Sequence, residues 1–253
     1  MVKSKKQLIE VSIDGLDYPI KIGKKVTAEG DNTITSISIH AMIEKIYEKQ
    51  FEENILYILN DRDEYVGLQQ LSNKMITYLN SINARTADIV FSFPFFIEKI
   101  LTATQQRILT KHTCQFKISK SLNFDFTKKY IVEIPVIGAE YIPSEIQKEL
   151  FEIPAALVVE MDGFDVFFIE DIIDLVEKRI YNEYSNSFSF EEKDLKILLL
   201  EKLENDLCKE FNTENCSVKI LIRKGFYSYS TNLVSEIFKL IPSTEFAEER
   251  SLS

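Results

Sequence analysis

Histidine is the scarcest chemically useful residue in this chain of 253 residues, which contains only His40 and His112. Enzymes that transfer protons near neutral pH use an imidazole more often than any other side chain. No serine–histidine–acid or cysteine–histidine set can be built around these two residues, so the sequence predicts no triad or dyad of that kind. His40 falls on the polar face of a predicted strand, which favours a surface position over a ligand role.

Glycine and cysteine are scarce as well. Seven glycines with no GxGxxG or Walker sequence exclude the common phosphate-binding loops. The three cysteines, Cys114, Cys208 and Cys216, have neither CxxC nor zinc-finger spacing. We therefore expect reduced thiols in a cytoplasmic protein.

A net positive charge and long apolar runs are also lacking. The net charge of −10 argues against a nucleic-acid partner, because affinity for nucleic acids depends on neutralising phosphates. No apolar stretch is long enough for a membrane span or resembles a signal peptide, so we expect no membrane partner. A single nucleotide held in a local pocket is compatible with this composition.

Periodicity predicts which segments are strands and which are helices. Alternation with period two indicates strands, and apolar residues at helical spacing indicate amphipathic helices. The predicted strands cover residues 16–22, 34–42, 87–96, 112–118, 130–136, 155–161 and 217–226. The predicted helices cover residues 43–60, 68–82, 167–180 and 191–211, and residues 231–241 fit either state.

The order strand–strand–helix–helix–strand–strand therefore occurs twice, which predicts an α+β protein with helices layered on one face of an antiparallel sheet. Pro94 predicts an edge or an end for its strand. The aromatic stripe of Phe91, Phe93 and Phe95 in that strand fits either core packing or a stacking surface for bases. Apolar residues on the opposite face of the strand favour the core.

A run of acids separates two predicted strands of the second half. Glu140, Glu145, Glu149 and Glu152 all lie between residues 138 and 153. Such a run is either a solvated connection or the wall of a site, and the residues alone leave both readings open.

Four segments match one known family in order and spacing. They are residues 11–20 (VSIDGLDYPI), 91–96 (FSFPFF), 134–136 (IPV) and 169–177 (IEDIIDLVE), with Arg107 and Glu145 between them. Together they resemble the type IB GTP cyclohydrolases, which open GTP to make 7,8-dihydroneopterin triphosphate for folate-type pathways. The resemblance covers residues 11–232.

This resemblance implies the tunnelling fold, in which each chain carries two tandem strand–strand–helix–helix–strand–strand units. We expect a first unit at residues 9–122, a second at 126–241 and a tail at 242–253. It also implies assembly into a homo-oligomer, a dimer or tetramer with sites between chains, or a role as partner subunit of a related protein of the same fold.

The resemblance implies a changed metal and catalytic site. The family's metal-binding cysteine position corresponds to Glu140 and its metal-binding histidine position to Glu152. A third ligand, a glutamate, corresponds to the region of Glu183, and the catalytic histidine position to Thr231. Both the thiol and the imidazole ligands are thus replaced, and so is the residue that transfers protons.

According to the resemblance, one substrate-binding position of the family is retained in this sequence. The glutamate that anchors the guanine ring in the family corresponds to Glu201, with Arg107 and Glu145 as further substrate-binding candidates. A carboxylate suits this role because its two coplanar oxygens accept two neighbouring N–H donors of a purine. The alternative reading of Glu201 is a solvated residue on an acidic helix.

Two functions follow from these positions. The first is a protein that binds a purine or pterin ligand such as GTP but lacks the usual hydrolytic site, and for it we name no cofactor. A purely structural subunit is a variant of this first function. The second is an active cyclohydrolase whose carboxylates, Glu140, Glu152 and Glu183, hold Mn²⁺ or another divalent metal.

Overall fold

The computed structural model describes residues 7–25, 30–61, 67–100, 107–122, 124–135, 155–163, 168–186, 195–213, 215–224 and 227–232. Within these ranges the chain forms two strands, two helices and two strands, and then repeats that order. The strands are β1 Leu8–Ile22, β2 Asp31–Glu44, β3 Thr86–Ile100, β4 Arg107–Lys120, β5 Thr127–Pro135, β6 Ala155–Asp162, β7 Cys216–Lys224 and β8 Tyr227–Asn232. The helices are α1 Glu48–Asn60, α2 Leu68–Ser81, α3 Ile169–Asn186 and α4 Leu195–Glu210, and a 3₁₀ turn at Lys45–Tyr47 precedes α1.

The strands form a single sheet in which each strand is hydrogen-bonded to the next one in the chain. The order is β1 to β8 without a crossover, and every pair is antiparallel. The α+β class and the doubled element order agree with the predicted tunnelling fold. Because β4 pairs with β5, the sheet continues across the expected boundary between residues 122 and 126, and the exact unit boundaries stay a prediction.

One face of this sheet is buried beneath the helices. Successive strand side chains point to opposite faces, so every second residue of β2, β3 and β4 faces the helix layer. Phe91 and Phe116 are adjacent on this face, with ring centroids 6.2 Å apart, and Phe116 lies 4.6 Å from the ring of Tyr130. Burying one such side chain contributes roughly 1.5–3 kcal/mol, so this row of rings is a major source of stability.

Each helix contributes one apolar stripe to the same core. The buried residues are Phe51, Ile55 and Leu59 of α1, Leu71, Met75 and Leu79 of α2, Ile172, Ile173, Val176 and Ile180 of α3, and Leu199, Leu200, Leu203 and Leu207 of α4. Their three- and four-residue spacing is that of one helix face packed on a sheet. The opposite face of the sheet carries ion pairs, such as Lys219 with Glu160 at 2.7 Å and Lys117 with Asp88 at 3.3 Å.

The aromatic stripe of β3 belongs to the core. Phe91, Phe93 and Phe95 are each at most 2% exposed. The core reading is therefore confirmed, and these rings are unavailable for stacking on a base.

Pro94 does not mark the end of its strand, so that part of the prediction is wrong, but it does lie where one side of β3 becomes an edge. It lies inside β3, pairs with Thr113 of β4, and is followed by six further strand residues. The ladder between β2 and β3 runs only as far as Ser36 and Ser92. Beyond Ser92, β3 forms no hydrogen-bond ladder with β2. A residue without an N–H group, such as proline, is therefore tolerated there.

β1 is longer than predicted because a bulge lets it continue. The register with β2 shifts between Ile13 and Leu16, and Gly15 within the shift has φ of 66°. Glycine adopts this left-handed conformation without a steric cost. The bulge keeps Ile13 and Leu16 on the buried side, although they are three residues apart rather than two.

α3 joins the two halves of the chain. Its acids form ion pairs with lysines of the first half, Asp171 with Lys25 and Glu177 with Lys99. The helix runs to Asn186, so it extends beyond the predicted end at residue 180. The start of α4 was predicted at residue 191, which lies outside the described residues. No helix in the described part of the chain is long and apolar enough to cross a membrane.

His112 is a buried, neutral member of the core. It lies on β4, is 1% exposed, and its Nε2 is 3.2 Å from the hydroxyl of Thr110. Burial, and then the positive charge of Lys99, lower its pKa from 6.5 to about 4, against an opposing hydrogen bond with the backbone of Glu133. The imidazole is therefore uncharged at neutral pH.

This environment predicts a stability that depends on pH. The unfolded chain takes up a proton near pH 6.5 and the folded chain near pH 4, so the free energy of unfolding falls as pH drops through this window. The effect of His112 is on the order of 3 kcal/mol. Denaturant titrations of a His112→Leu variant should show a smaller loss between pH 6.5 and 4. His40→Gln, at the exposed histidine, is the matched control, and equal pH slopes in both variants would contradict the account.

Candidate functional site

Three of the predicted site residues, Glu140, Glu145 and Glu152, lie outside the described residues. Two others are placed by their backbone alone. Glu183 lies in the last turn of α3, and Thr231 lies in β8, where it pairs with Ile220 of β7. Thr231 was in a segment that fitted either a strand or a helix, and its backbone is a strand.

Arg107 is the first residue of β4, where it pairs with Ile100 of β3. Its guanidinium forms an exposed ion pair with Glu98 at 3.1 Å. The buried residues of β4 are at even positions and face the helices. Arg107 is at an odd position, so it lies on the face of the sheet that points away from the helices. A pair this exposed contributes little stability, so Arg107 can exchange Glu98 for another anion at small cost.

Glu201 lies on α4 with an exposed side chain. α4 packs on β7, three strands away from β4, and on the opposite face of the sheet from Arg107. Three strand spacings amount to about 14 Å, so one chain does not bring Arg107 and Glu201 together around a small ligand. Of the two readings of Glu201, its exposure within the single chain fits the solvated residue.

Glu204, one turn further along α4 than Glu201, contacts the sheet. Its Oε1 accepts a hydrogen bond of 2.9 Å from the backbone N–H of Val218 in β7. Burial raises the pKa of its carboxyl group, the Val218 hydrogen bond opposes this, and the negative charge of Glu201 raises the pKa further. Glu201 and Glu204 therefore form a pair of carboxylates in which one is exposed and the other half-buried.

The sequence analysis assigned no role to Glu204. A signal was nevertheless present. Glu204 follows Leu200 by four residues and precedes Leu207 by three, and both leucines are fully buried. Those spacings place Glu204 beside the apolar stripe of α4, where an acid needs a hydrogen-bond donor.

The cysteines are distributed between the core and the end of α4. Cys114 on β4 is 1% exposed, and burial raises the pKa of its thiol to about 12. Cys208 on α4 and Cys216 at the start of β7 are free and half-buried. Within the described ranges no group of three histidine, cysteine or acidic residues is arranged to hold a metal ion.

Comparison with known proteins finds sequence similarity to several proteins named GTP cyclohydrolase FolE2. No protein-family model matches the chain. GTP cyclohydrolase FolE2 of Geobacter sp. (strain M21) is 26% identical over 174 residues, which are 67% of this chain and 62% of that protein. GTP cyclohydrolase FolE2 of Citrifermentans bemidjiense is 25% identical over 174 residues, with the same shares of the two chains.

A third relative agrees with these two. GTP cyclohydrolase FolE2 of Geotalea uraniireducens is 27% identical over 173 residues, which are 66% of this chain and 61% of that protein. The chain thus spans about three fifths of the length of the curated relatives it matches. These similarities support a relationship to GTP cyclohydrolases.

Glu204 provides a direct test of how α4 is held on the sheet. Glu204→Ala leaves the Val218 N–H without its acceptor, which should lower the free energy of unfolding by about 1–3 kcal/mol. Glu204→Gln retains an acceptor oxygen and should lower it by less than about 1 kcal/mol. Urea titration at neutral pH measures both values. Glu201→Ala, at the exposed acid, is the control, and an equal loss in all three variants would contradict the assigned hydrogen bond.

Proposed function

We propose that this chain binds a purine nucleotide of the GTP type, or a pterin related to it, and lacks the thiol–imidazole metal site of the type IB GTP cyclohydrolases. The similarity to proteins named GTP cyclohydrolase supports the ligand class. The positions of the chain's own histidines and cysteines support the loss of the hydrolytic site.

The proposal rests on the positions of the two histidines and the three cysteines. His112 and Cys114 are buried in the core, and Cys208 and Cys216 lie between α4 and β7. His40 is exposed on β2 and lies 2.9 Å from Asp14. None of the five occurs between residues 136 and 154, where the resemblance locates the metal-binding cysteine and histidine.

The residues that replace those ligands suit zinc less well than the family's own donors do. Glu140 and Glu152 offer carboxylate oxygens where the family has a sulfur and a nitrogen donor, and Glu183 stands where the family also has a glutamate. Hard oxygen donors suit Mn²⁺ or Mg²⁺ better than zinc. No hydrolytic step is therefore assigned to a zinc ion in this chain.

Glu201 supplies the contact that defines the ligand. Its exposed carboxylate can accept two N–H donors from one edge of a guanine or pterin ring. Arg107, whose partner among the described residues is the exposed Glu98, suits an anionic group of the same ligand. Because these two residues lie apart in one chain, a ligand that contacts both takes Arg107 from a second copy, which is the between-chain arrangement implied by the resemblance.

The alternative is an active enzyme with a carboxylate metal site. Its support is the run of glutamates between residues 138 and 153 together with Glu183. In that case Glu140, Glu152 and Glu183 would hold Mn²⁺, which supplies a Lewis acid and an activated water. The role of the missing catalytic histidine would then fall to another side chain.

Calorimetric titration with GTP tests the proposed anchor. Glu201→Ala removes a charge-assisted acceptor of two hydrogen bonds, so affinity should fall by roughly 30-fold or more. Glu210→Ala is the matched control, since it removes an exposed glutamate from the same helix. Unchanged GTP affinity in the Glu201→Ala variant, or no GTP binding by the unmodified chain, would overturn the proposed site.

Addition and removal of metal separate the two functions. We expect that GTP affinity is unchanged by a chelator, because the proposed contacts are made by Glu201 and Arg107 alone. We also expect that GTP stays unaltered after incubation with Mn²⁺, as measured by chromatography of the nucleotide. Conversion of GTP that requires Mn²⁺ and is lost in both Glu140→Ala and Glu152→Ala variants would establish the alternative instead.

A further inference from the structure

A cavity between α3 and α4 has no part in the function proposed above. Its volume is about 340 Å³, which is enough for a small molecule rather than a single ion. The lining side chains come from both helices, and they are Leu175, Lys178, Arg179, Asp206, Lys209 and Glu210. Glu201, although it lies on α4, does not line this cavity.

One ion pair joins the two helices at the cavity. Both Nε and Nη2 of Arg179 on α3 donate hydrogen bonds to Oδ2 of Asp206 on α4. The two side chains are 29% and 28% exposed, so the pair is better shielded from water than a typical surface pair. Arg179 and Asp206 neutralise each other, and the other charged side chains of the lining therefore decide which ligand fits.

Three charged side chains remain for a ligand. Lys178 of α3 and Lys209 and Glu210 of α4 are exposed, and none of them has an ion-pair partner among the residues that the structure describes. Two ammonium groups therefore approach the cavity from opposite helices, and one carboxylate lies beside them. The cavity has a net positive charge on a chain whose net charge is −10.

We propose that this cavity binds an acidic amino acid, that is, a small ligand with two carboxylates and one ammonium group. Each of the two lysines can pair with one carboxylate, and Glu210 can pair with the ammonium group. Leu175, which is partly buried against the core, offers an apolar wall to the methylene groups of the ligand. The single net negative charge of such a ligand balances the single net positive charge of the cavity.

The mixed charge of the cavity also rejects related ligands. A phosphate or a dicarboxylate without an ammonium group can pair with the lysines, but it leaves Glu210 as an unpaired acid beside a bound anion. A ligand with one carboxylate leaves one lysine unpaired. Specificity arises in this way when the wrong ligand leaves a charge without its partner.

Titration of the full chain with L-glutamate, followed by saturation-transfer NMR without nucleotide, tests the site. We expect a dissociation constant on the order of 1 mM, because the contacts are exposed to water. Lys178→Gln and Lys209→Gln should each weaken the affinity by roughly threefold or more. Lys111→Gln is the matched control, since it removes the same charge from an exposed position on β4, outside the cavity, and should leave the affinity unchanged.

A comparison of ligands tests the role of Glu210. Glutarate lacks the ammonium group and 4-aminobutyrate lacks one carboxylate, so both should bind more weakly than L-glutamate. Glu210→Gln should abolish the preference for L-glutamate over glutarate, and the double variant Lys178→Gln with Lys209→Gln should abolish the preference over 4-aminobutyrate.

Three results would overturn the proposal. They are no binding of L-glutamate at tenfold the expected dissociation constant, equal affinity for all three ligands, and an equal loss of affinity in Lys111→Gln and the two cavity variants. Because no nucleotide is present, each result is independent of whether GTP binds at Glu201.

Discussion

The constraint on which the structure depends is the one-sided burial of a continuous antiparallel sheet. Eight strands in chain order leave every second side chain on the face beneath the helices, and the apolar stripes of all four helices cover that face. The aromatic row through Phe91, Phe116 and Tyr130 crosses from the first half of the chain into the second. The helix layer and the opposite sheet face are therefore separate surfaces, and polar chemistry has to lie outside the buried layer.

This separation decides which residues remain available for function. It takes His112 and Cys114 into the core, where burial leaves both uncharged at neutral pH. It places Arg107 and Glu201 on different faces, three strands apart. A ligand site built from both then needs more than one copy of the chain, whereas the hydrogen bond from Val218 of β7 to Glu204 of α4 is complete within one copy.

The sequence allowed the element order, the sheet class and the buried stripes to be predicted, because each depends on local periodicity. Errors arose where a long-range partner decides the outcome. Pro94 is tolerated inside β3 because the ladder to β2 ends at Ser92, which no local pattern reveals. Glu204 was overlooked because its donor, the N–H of Val218, is 14 residues away in β7. The candidate metal ligands near residues 140 and 152 stay predictions, because they rest on the resemblance.

The central claim is that the chain recognises a purine nucleotide but has lost the thiol–imidazole hydrolytic site. The most direct test is native mass spectrometry of the purified chain with GTP, with and without Mn²⁺. The account predicts an assembly of at least two copies that carries GTP at its unaltered mass in both conditions. An assembly that releases or carries a nucleotide of changed mass only when Mn²⁺ is present would contradict it and establish a carboxylate-bound metal enzyme.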